Sequence, residues 1–241
     1  WSGGVATYAE PGPIRRYMEL DRRMPFRGWC RPQTEVSAAA GLANLAVAAD
    51  PSRLPADRLH ADRLHAGAQA GAHAAWRYVR RRQRADGSWD SYWWTSPHFA
   101  TRQAVALALG VGDLAPVRRA AAWALRGQRH DGTWGAPGAA ASPFATALSL
   151  LVLTDAGLGD DRPIIRGTEA LVRLQQADGT WPSHPVLRIP LPADRSTSGD
   201  GRWRPIRFDT GITVPDQHRL FTSATCLAAL ARALRVTDDA S

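Results

Sequence analysis

Apolar positions recur along this chain at helical spacing, and each such run ends in the same seven-residue pattern. Leu114, Val117, Ala121 and Leu125 step by three or four residues; Ile164, Leu171 and Val172 share one helical face, as do Trp76 and Val79. The runs lead into Gln83-Arg-Ala-Asp86-Gly87-Ser-Trp89, Gln128-Arg-His-Asp131-Gly132-Thr-Trp134 and Gln175-Gln-Ala-Asp178-Gly179-Thr-Trp181. The glutamines lie 45 and 47 residues apart (83 to 128, 128 to 175), a period that suits two helices and two turns per unit. In this reading the Gln sits on the apolar stripe in the last helical turn, where its buried amide bonds to carbonyls left open by the helix end. Asp-Gly turns the chain, and the Trp folds back over the joint between units. The motif is therefore a clamp, and Asp86, Asp131 and Asp178 belong to its turns.

A second kind of helix follows the signatures. Ser96-Pro97 and Ser142-Pro143 combine an N-cap residue with a proline at the first helical position. The helices they open, from Phe99 and Phe144, have matching runs beginning at Phe221 and near Glu35. All four are small-residue-rich and nearly uncharged beyond the first turn, the pattern of helices buried all round. They form an inner ring, and the helices leading into the signatures form an outer one. Residues 50–66, with the tandem Ala56–His60 and Ala61–His65, read as a linker. Residues 182–219 are rich in Pro, Gly and Arg and read as a long loop or lid. Residues 1–13 read as the tail of a preceding unit. Seven or eight helices are fewer than a closed double ring requires. The expected fold is thus an all-α, α/α toroid spanning 1–241 as one domain, incomplete or lacking N-terminal helices.

Composition narrows the picture. Hydrophobic residues make up 44% of the 241, which fits a globular chain, and no apolar run is long enough to span a membrane. The formal charge is +8, and every basic residue is arginine. The arginines are scattered without a nucleic-acid-binding tract, so no nucleic-acid partner is expected. Arg15, Arg16, Arg22, Arg23 and Arg27 do gather near the start, where Arg15 and Arg16 are candidates for a diphosphate. Cys30 and Cys226 make no disulfide framework, and Cys226 lies in an apolar run as a small core residue.

These residues resemble a known family. Gln-x-x-Asp-Gly-x-Trp after an amphipathic helix is similar to the QW motif of squalene–hopene and oxidosqualene cyclases. Ser2-Gly-Gly-Val-Ala-Thr-Tyr8 resembles the Gly-Gly-Phe-Ala-Thr-Tyr stretch of the latter, and Gln33-Thr-Glu35-Val-Ser-Ala resembles their Val-Glu-Cys-Thr-Ser-Ala. The run from Ser88 to Thr101 matches, without gaps, a hopene cyclase pattern that places aromatics at Trp93 and Phe99. His218-Arg-Leu-Phe221-Thr resembles the closing His-Val-Phe-Pro-Thr. The similar segments run in the order of the family's C-terminal half.

The resemblance implies a class II terpene-cyclase-like enzyme of the isomerase/lyase type. A polyisoprenoid, either a prenyl diphosphate or a squalene-type chain, would be protonated in a central aromatic-lined cavity and cyclised through carbocations. Such a site needs aromatic faces, an acid and no water. Tyr92, Trp93, Trp94, His98, Phe99, Phe144 and Phe221 are the candidate lining. The family's Asp-x-Asp-Asp-like and Asp-Cys-Thr-Ala-Glu acid motifs do not occur in this chain. Glu35 and Asp216 are then the local candidates for a catalytic acid, with Asp90 and Asp209 behind them, and Glu35 has the alternative of an N-terminal helix carboxylate. No cofactor is expected, magnesium entering only with a diphosphate substrate. Asp216-Gln-His218 echoes the zinc ligands of protein prenyltransferases in the wrong register, so no metal is expected. The rival reading is a non-catalytic toroid, a binding module or one half of a two-part cyclase whose partner is an N-terminal half or companion chain. The expected location is cytoplasmic, with peripheral membrane contact left open.

Overall fold

The computed structural model describes residues 3–17, 19, 23, 28–50, 58–135, 140–157, 162–190 and 213–238. Among them are α1 (Pro11–Tyr17), α2 (Thr34–Ala49), α3 (Arg58–Arg80), α4 (Pro97–Gly110), α5 (Leu114–Gly127), α6 (Pro143–Ala156), α7 (Arg162–Leu174), β1 (Pro185–Arg188), β2 (Thr213–Pro215) and α8 (Leu220–Asp238). Helices α2, α4, α6 and α8 pack in that order as an inner row, and α3, α5 and α7 each bridge two inner neighbours from behind. The architecture is an α/α toroid of two helix layers, present as an arc. Among the described residues no helix is long and apolar enough to cross a membrane.

Each signature is wired identically. The indole Nε1 of Trp89, Trp134 and Trp181 donates to the carbonyl ten residues upstream, on Val79, Ala124 and Leu171, at 2.7–2.8 Å. The peptide N–H of the same tryptophans donates to a hydroxyl on the next inner helix: Thr101, Thr146 and Ser223. Asp86, Asp131 and Asp178 accept from the backbone and hydroxyl two residues on. The turn glycines have φ of 97°, 84° and 81°, where a side chain is strained. A Cβ on Gly87 or Gly132 would also stand 2.2 or 2.3 Å from the backbone oxygen of Arg119 or Arg166 on the following outer helix.

The glutamines do their work just outside the helix, not in its last turn: Gln128 is a C-cap, and Gln83 and Gln175 follow the ends of α3 and α7. They are half-buried or exposed rather than buried. Leaving the helix lets the Gln83 and Gln128 amides donate both to their own turn and to Pro116 or Pro163 in the first turn of the next outer helix. Their Oε1 atoms accept from Arg119 and Arg166. Arg126 and Arg173, two turns on, donate at 2.7 Å to the carbonyls of Asp86 and Asp131. Gln175 bonds only its own turn at Gly179, with no outer helix against it among the described residues.

Three sequence expectations shift. The tandem repeat at 50–66 is not all linker: α3 begins at Arg58 and takes in His60 to His65, while residues 51–57 lie outside the described residues. Its His, Leu, Ala and Arg positions continue as helix because no Pro or Gly interrupts them before Gly67. The buried stripe of α5 is Pro116, Val117, Ala120, Ala121 and Ala124, with Leu114 and Leu125 exposed. Fully buried indoles occupy the joints, so small residues face the core there. Burial is most extensive in α6, where every residue from Pro143 to Thr154 except Leu151 is buried and α4, α5, α7 and α8 all pack against the helix. Helix α8, at the end of the row, exposes Leu220, Phe221, Leu227 and Leu234. Of residues 1–13, the stretch 3–5 repeats the geometry of a signature turn: Gly3 has φ 76° against Ala74, and Val5 N–H donates to Ser37 Oγ at 2.8 Å, as Trp89 does to Thr101.

The wiring makes a ranked stability prediction. Gln83→Ala and Gln128→Ala each remove bonds between units and should lower the unfolding free energy by about 1–3 kcal/mol. Gln175→Ala should cost clearly less. Urea unfolding of the three variants, with equal losses at all three sites, would refute the inter-unit clamp.

Candidate functional site

The inner-helix N-termini gather at one end of the arc, and a short extended segment, Ser91–Thr95, crosses them. It is held on two sides. On one, Glu35 of α2 accepts the peptide N–H groups of Tyr92 and Trp93 on a single carboxylate oxygen, Oε1, at 2.7 and 2.8 Å. On the other, the segment pairs with β1: Thr95 N–H donates to Val186 O and Arg188 N–H to Trp93 O, both at 2.9 Å. The buried Arg188 guanidinium adds bonds to the carbonyls of Tyr92 (2.7 Å) and Ser91 (3.3 Å). β1 in turn pairs antiparallel with β2. Of the expected loop or lid over 182–219, the flanks thus form a two-stranded sheet, and residues 191–212 lie outside the described residues.

Two aromatic groups hang from this segment. Trp94 stacks on Phe99 with ring centroids 3.7 Å apart and on Phe144 at 5.5 Å, and meets Phe221 edge-on at 5.8 Å. Each of these phenylalanines opens a different inner helix, so one indole ties α4, α6 and α8 together. Trp93 turns the other way, against Trp29 (5.4 Å), Tyr92 (5.1 Å) and Tyr8 (6.4 Å), and its Nε1 donates to Thr7 at 2.7 Å. Gln33 fixes the loops beneath, donating to the carbonyls of Gly28 and Trp29 and accepting from Thr7 N–H. Beside Phe144 and Val186 lies a cleft of about 280 Å³, bordered also by Thr95, Ser96, Ser142, His184 and Thr213.

Of the sequence candidates, Trp94, Phe99, Phe144 and Phe221 come together at this mouth, while Tyr92 and Trp93 join Trp29 in the second aromatic group. His98 does not join them: it is buried against Trp123 of α5 (4.9 Å) and touches Ser96 Oγ. Burial pulls its pKa down to about 4, so the ring is neutral near pH 7. Asp216 is buried and accepts the Thr222 N–H at 2.8 Å, capping the first turn of α8. Asp90 is paired with Arg84 at 2.8 Å, and burial raises its pKa against the pull of that arginine. Arg15 and Arg16 lie on α1, whose Ile14 packs with the Trp29 group, and Arg16 is exposed. Arg22, Arg27 and Asp209 lie outside the described residues. Cys226 is core, its thiol pushed up to about 12 by burial.

Sequence reading missed Trp29 and Arg188. Trp29 stands in no repeat, and Arg188 lies in a stretch read as loop; its partners are backbone carbonyls 96 and 97 residues away, which leave no side-chain pattern to find. Among the described residues, no three His, Cys, Asp or Glu side chains gather as a metal would need.

A family model described as the squalene-hopene cyclase C-terminal domain matches residues 61–192, more than half of the chain. Among solved structures, type II terpene cyclase MstE from Scytonema, in complex with merosterolic acid A (product), superposes with TM-score 0.72 and 27% identity. The match covers 96% of this chain and 62% of that one. A protein from Actinoplanes matches with TM-score 0.73 and 29% identity, covering 97% of this chain and 65% of its own. A copalyl diphosphate synthase of Streptomyces anulatus is 38% identical over 76 residues, 30% of this chain and 14% of the relative. The chain therefore spans less than two thirds of the length of each of these relatives. With its repeated clamps, aromatic mouth and matched family model, the chain belongs to the squalene-hopene cyclase C-terminal domain family, within the class II terpene-cyclase-like proteins.

Proposed function

We propose that this chain forms the aromatic wall of a class II terpene-cyclase cavity, in which a polyisoprenoid is cyclised through carbocations. The observation that carries the proposal is the Trp94 stack, with three phenylalanines from three inner helices converging on one indole. Aromatic faces offer negative potential to a cation without a nucleophilic atom that would capture it. The overall reaction adds a proton at one alkene carbon and loses one from another, so it is an isomerisation that consumes no co-reactant. A solved relative binds geranylgeranyl dihydroxybenzoate (substrate), which favours a prenylated ligand here.

Glu35 fits the role of anchor better than that of proton donor. Protonating an alkene demands a strong acid, whereas burial pushes the Glu35 carboxyl above its ordinary value. The N–H groups of Trp93, Glu35 and Tyr92 and the Arg188 guanidinium pull it back only in part. Oε1 is engaged by the backbone of the aromatic segment, and Asp216 is engaged as a cap. The acid then belongs to an N-terminal half or companion chain. The absence of both acid motifs from the sequence favours, as second reading, a binding half without turnover of its own.

Incubation with geranylgeranyl diphosphate, oxidosqualene and squalene, followed by product profiling, separates the two: cyclised product supports the enzyme, and binding alone supports the half-cavity. Neither product nor binding with any of the three would end both readings. Trp94→Ala should weaken prenyl-ligand affinity about tenfold, with Trp94→Phe closer to the native chain. Glu35 gives a pH test. Its raised folded pKa means that the native chain keeps this proton at a pH where the unfolded chain has lost it. Stability from Glu35 is present below the ordinary value and is lost as pH rises through the folded one. Glu35→Gln keeps the acceptor oxygen without the charge, so its Tm should gain on the native chain as pH rises above the ordinary carboxylate range and match it in acid. The opposite trend would mean that the site stabilises the charged carboxylate.

A further inference from the structure

The concave side of the arc carries a second feature, which the aromatic mouth does not use. On α6, Phe144, Leu148, Leu151 and Asp155 follow at steps of four, three and four and so share one helix face. On α8, Phe221, Thr225, Ala228 and Arg232 repeat those steps, and on α4 Phe99 and Arg102 lie three apart. The upper end of these rows is the Trp94 stack. The lower end is an ion cluster. Arg102 Nη2 lies 2.9 Å from Asp155 Oδ2, and Arg232 Nε lies 2.8 Å from Asp155 Oδ1. Along α6 the two ends are three helical turns, about 16 Å, apart. Leu148, Leu151, Thr225 and Ala228 lie between them.

The cluster is unbalanced, with two guanidinium groups sharing one carboxylate. The Asp155 side chain is 11% exposed, that of Arg102 22% and that of Arg232 49%. Arg102 Nη1 is buried and has no hydrogen-bond partner among the described residues. Burial works against its charge and Asp155 supports it, and an arginine in this setting stays protonated. Arg102 links α4 to α6, and Arg232 links α8 to α6 through the same carboxylate. The second, half-exposed one adds little to stability, and an unsatisfied buried donor costs some of it. A bound anion would satisfy both. Fixed positive charge also disfavours a nearby carbocation, and the cluster stands three turns from the aromatic layer.

We propose that Arg102 and Arg232, spaced by Asp155, bind the anionic head of a prenylated ligand, a diphosphate or a carboxylate, whose apolar chain runs up the concave face to the Trp94 stack. This rests on the isoprenoid reading of the mouth and adds the end of the ligand that the aromatics cannot recognise. It makes a charged amphiphile, rather than a neutral triterpene chain, the ligand of this cavity.

The test is calorimetric binding of geranylgeranyl diphosphate, geranylgeranoic acid and the neutral geranylgeraniol to the full chain and to Arg232→Ala and Asp155→Asn. Arg232→Ala should keep its Tm within a degree or two, because the pair is half-exposed. It should weaken one or both anionic ligands about tenfold or more, leaving geranylgeraniol unchanged. The arm that weakens identifies the head group. Asp155→Asn, which removes the competing carboxylate, should hold or tighten the anionic ligands. Equal affinities of the native chain and Arg232→Ala for all three ligands would overturn the anion site and leave the isoprenoid reading standing. So would a parallel loss of all three in both variants. Failure of every ligand to bind the native chain would overturn the isoprenoid reading, and the anion site with it.

Discussion

The structure depends on one hydrogen bond repeated three times, from a buried indole Nε1 back to the carbonyl ten residues upstream. That bond folds the end of each outer helix over itself and inserts the largest side chain available at the joint between two units. Once the indole is fixed, its own peptide N–H points at a hydroxyl near the start of the next inner helix, on Thr101, Thr146 or Ser223. One residue thus sets the distance between the two layers and the height at which each inner helix begins. Because all the inner helices start at matched heights, their first aromatic residues, Phe99, Phe144 and Phe221, arrive in one layer. The mouth is a consequence of the clamp, although no clamp residue lies in it.

Arginine has specific uses in this scaffold. Arg119 and Arg166 reach the glutamine oxygens, and Arg126 and Arg173 reach the turn carbonyls of Asp86 and Asp131. These acceptors are neutral and mostly at the surface, where a flexible ammonium ion would stay in water. A planar guanidinium with a fixed fork loses less freedom per bond formed. A lysine-free composition can be compositional bias in origin and still be used, at these four positions, as inter-unit wiring. The net charge of +8 therefore says little about a polyanionic partner.

What was legible in the sequence was whatever repeats. The signatures, their period, the Ser-Pro helix starts and the aromatic that follows each start are local patterns, and they fixed the layers and the mouth residues. The reach of Gln83 and Gln128 is hidden from periodicity, which places them inside the helix, whereas each side chain bridges units only from beyond the helix end. The tandem Ala-Asp-Arg-Leu-His reads as linker because its charge hides its helical propensity. Glu35 was visible as a carboxylate at an inner-helix start, but not what it binds. Its partners are the backbone of residues 57 and 58 positions away, and backbone groups carry no sequence signature. Arg188 was invisible for the same reason.

Glu35 and Arg188 also explain how a cavity wall can be made from an extended segment. Such a segment offers N–H and carbonyl groups on both of its edges, and in apolar surroundings each would cost free energy if left unpaired. Here an acceptor side chain takes the N–H groups of Tyr92 and Trp93, a donor side chain takes the carbonyls of Ser91 and Tyr92, and β1 pairs the Thr95 N–H and the Trp93 carbonyl. These bonds engage three N–H groups and three carbonyls of the segment, whose side chains present aromatic carbon. In the proposed cyclase, such a face would offer π-electrons to a carbocation. The same pairing explains why a buried acid with a raised pKa belongs in this wall. Glu35 holds the Tyr92 and Trp93 N–H groups in place, and in the proposed cyclase that anchoring is independent of where the initiating proton comes from.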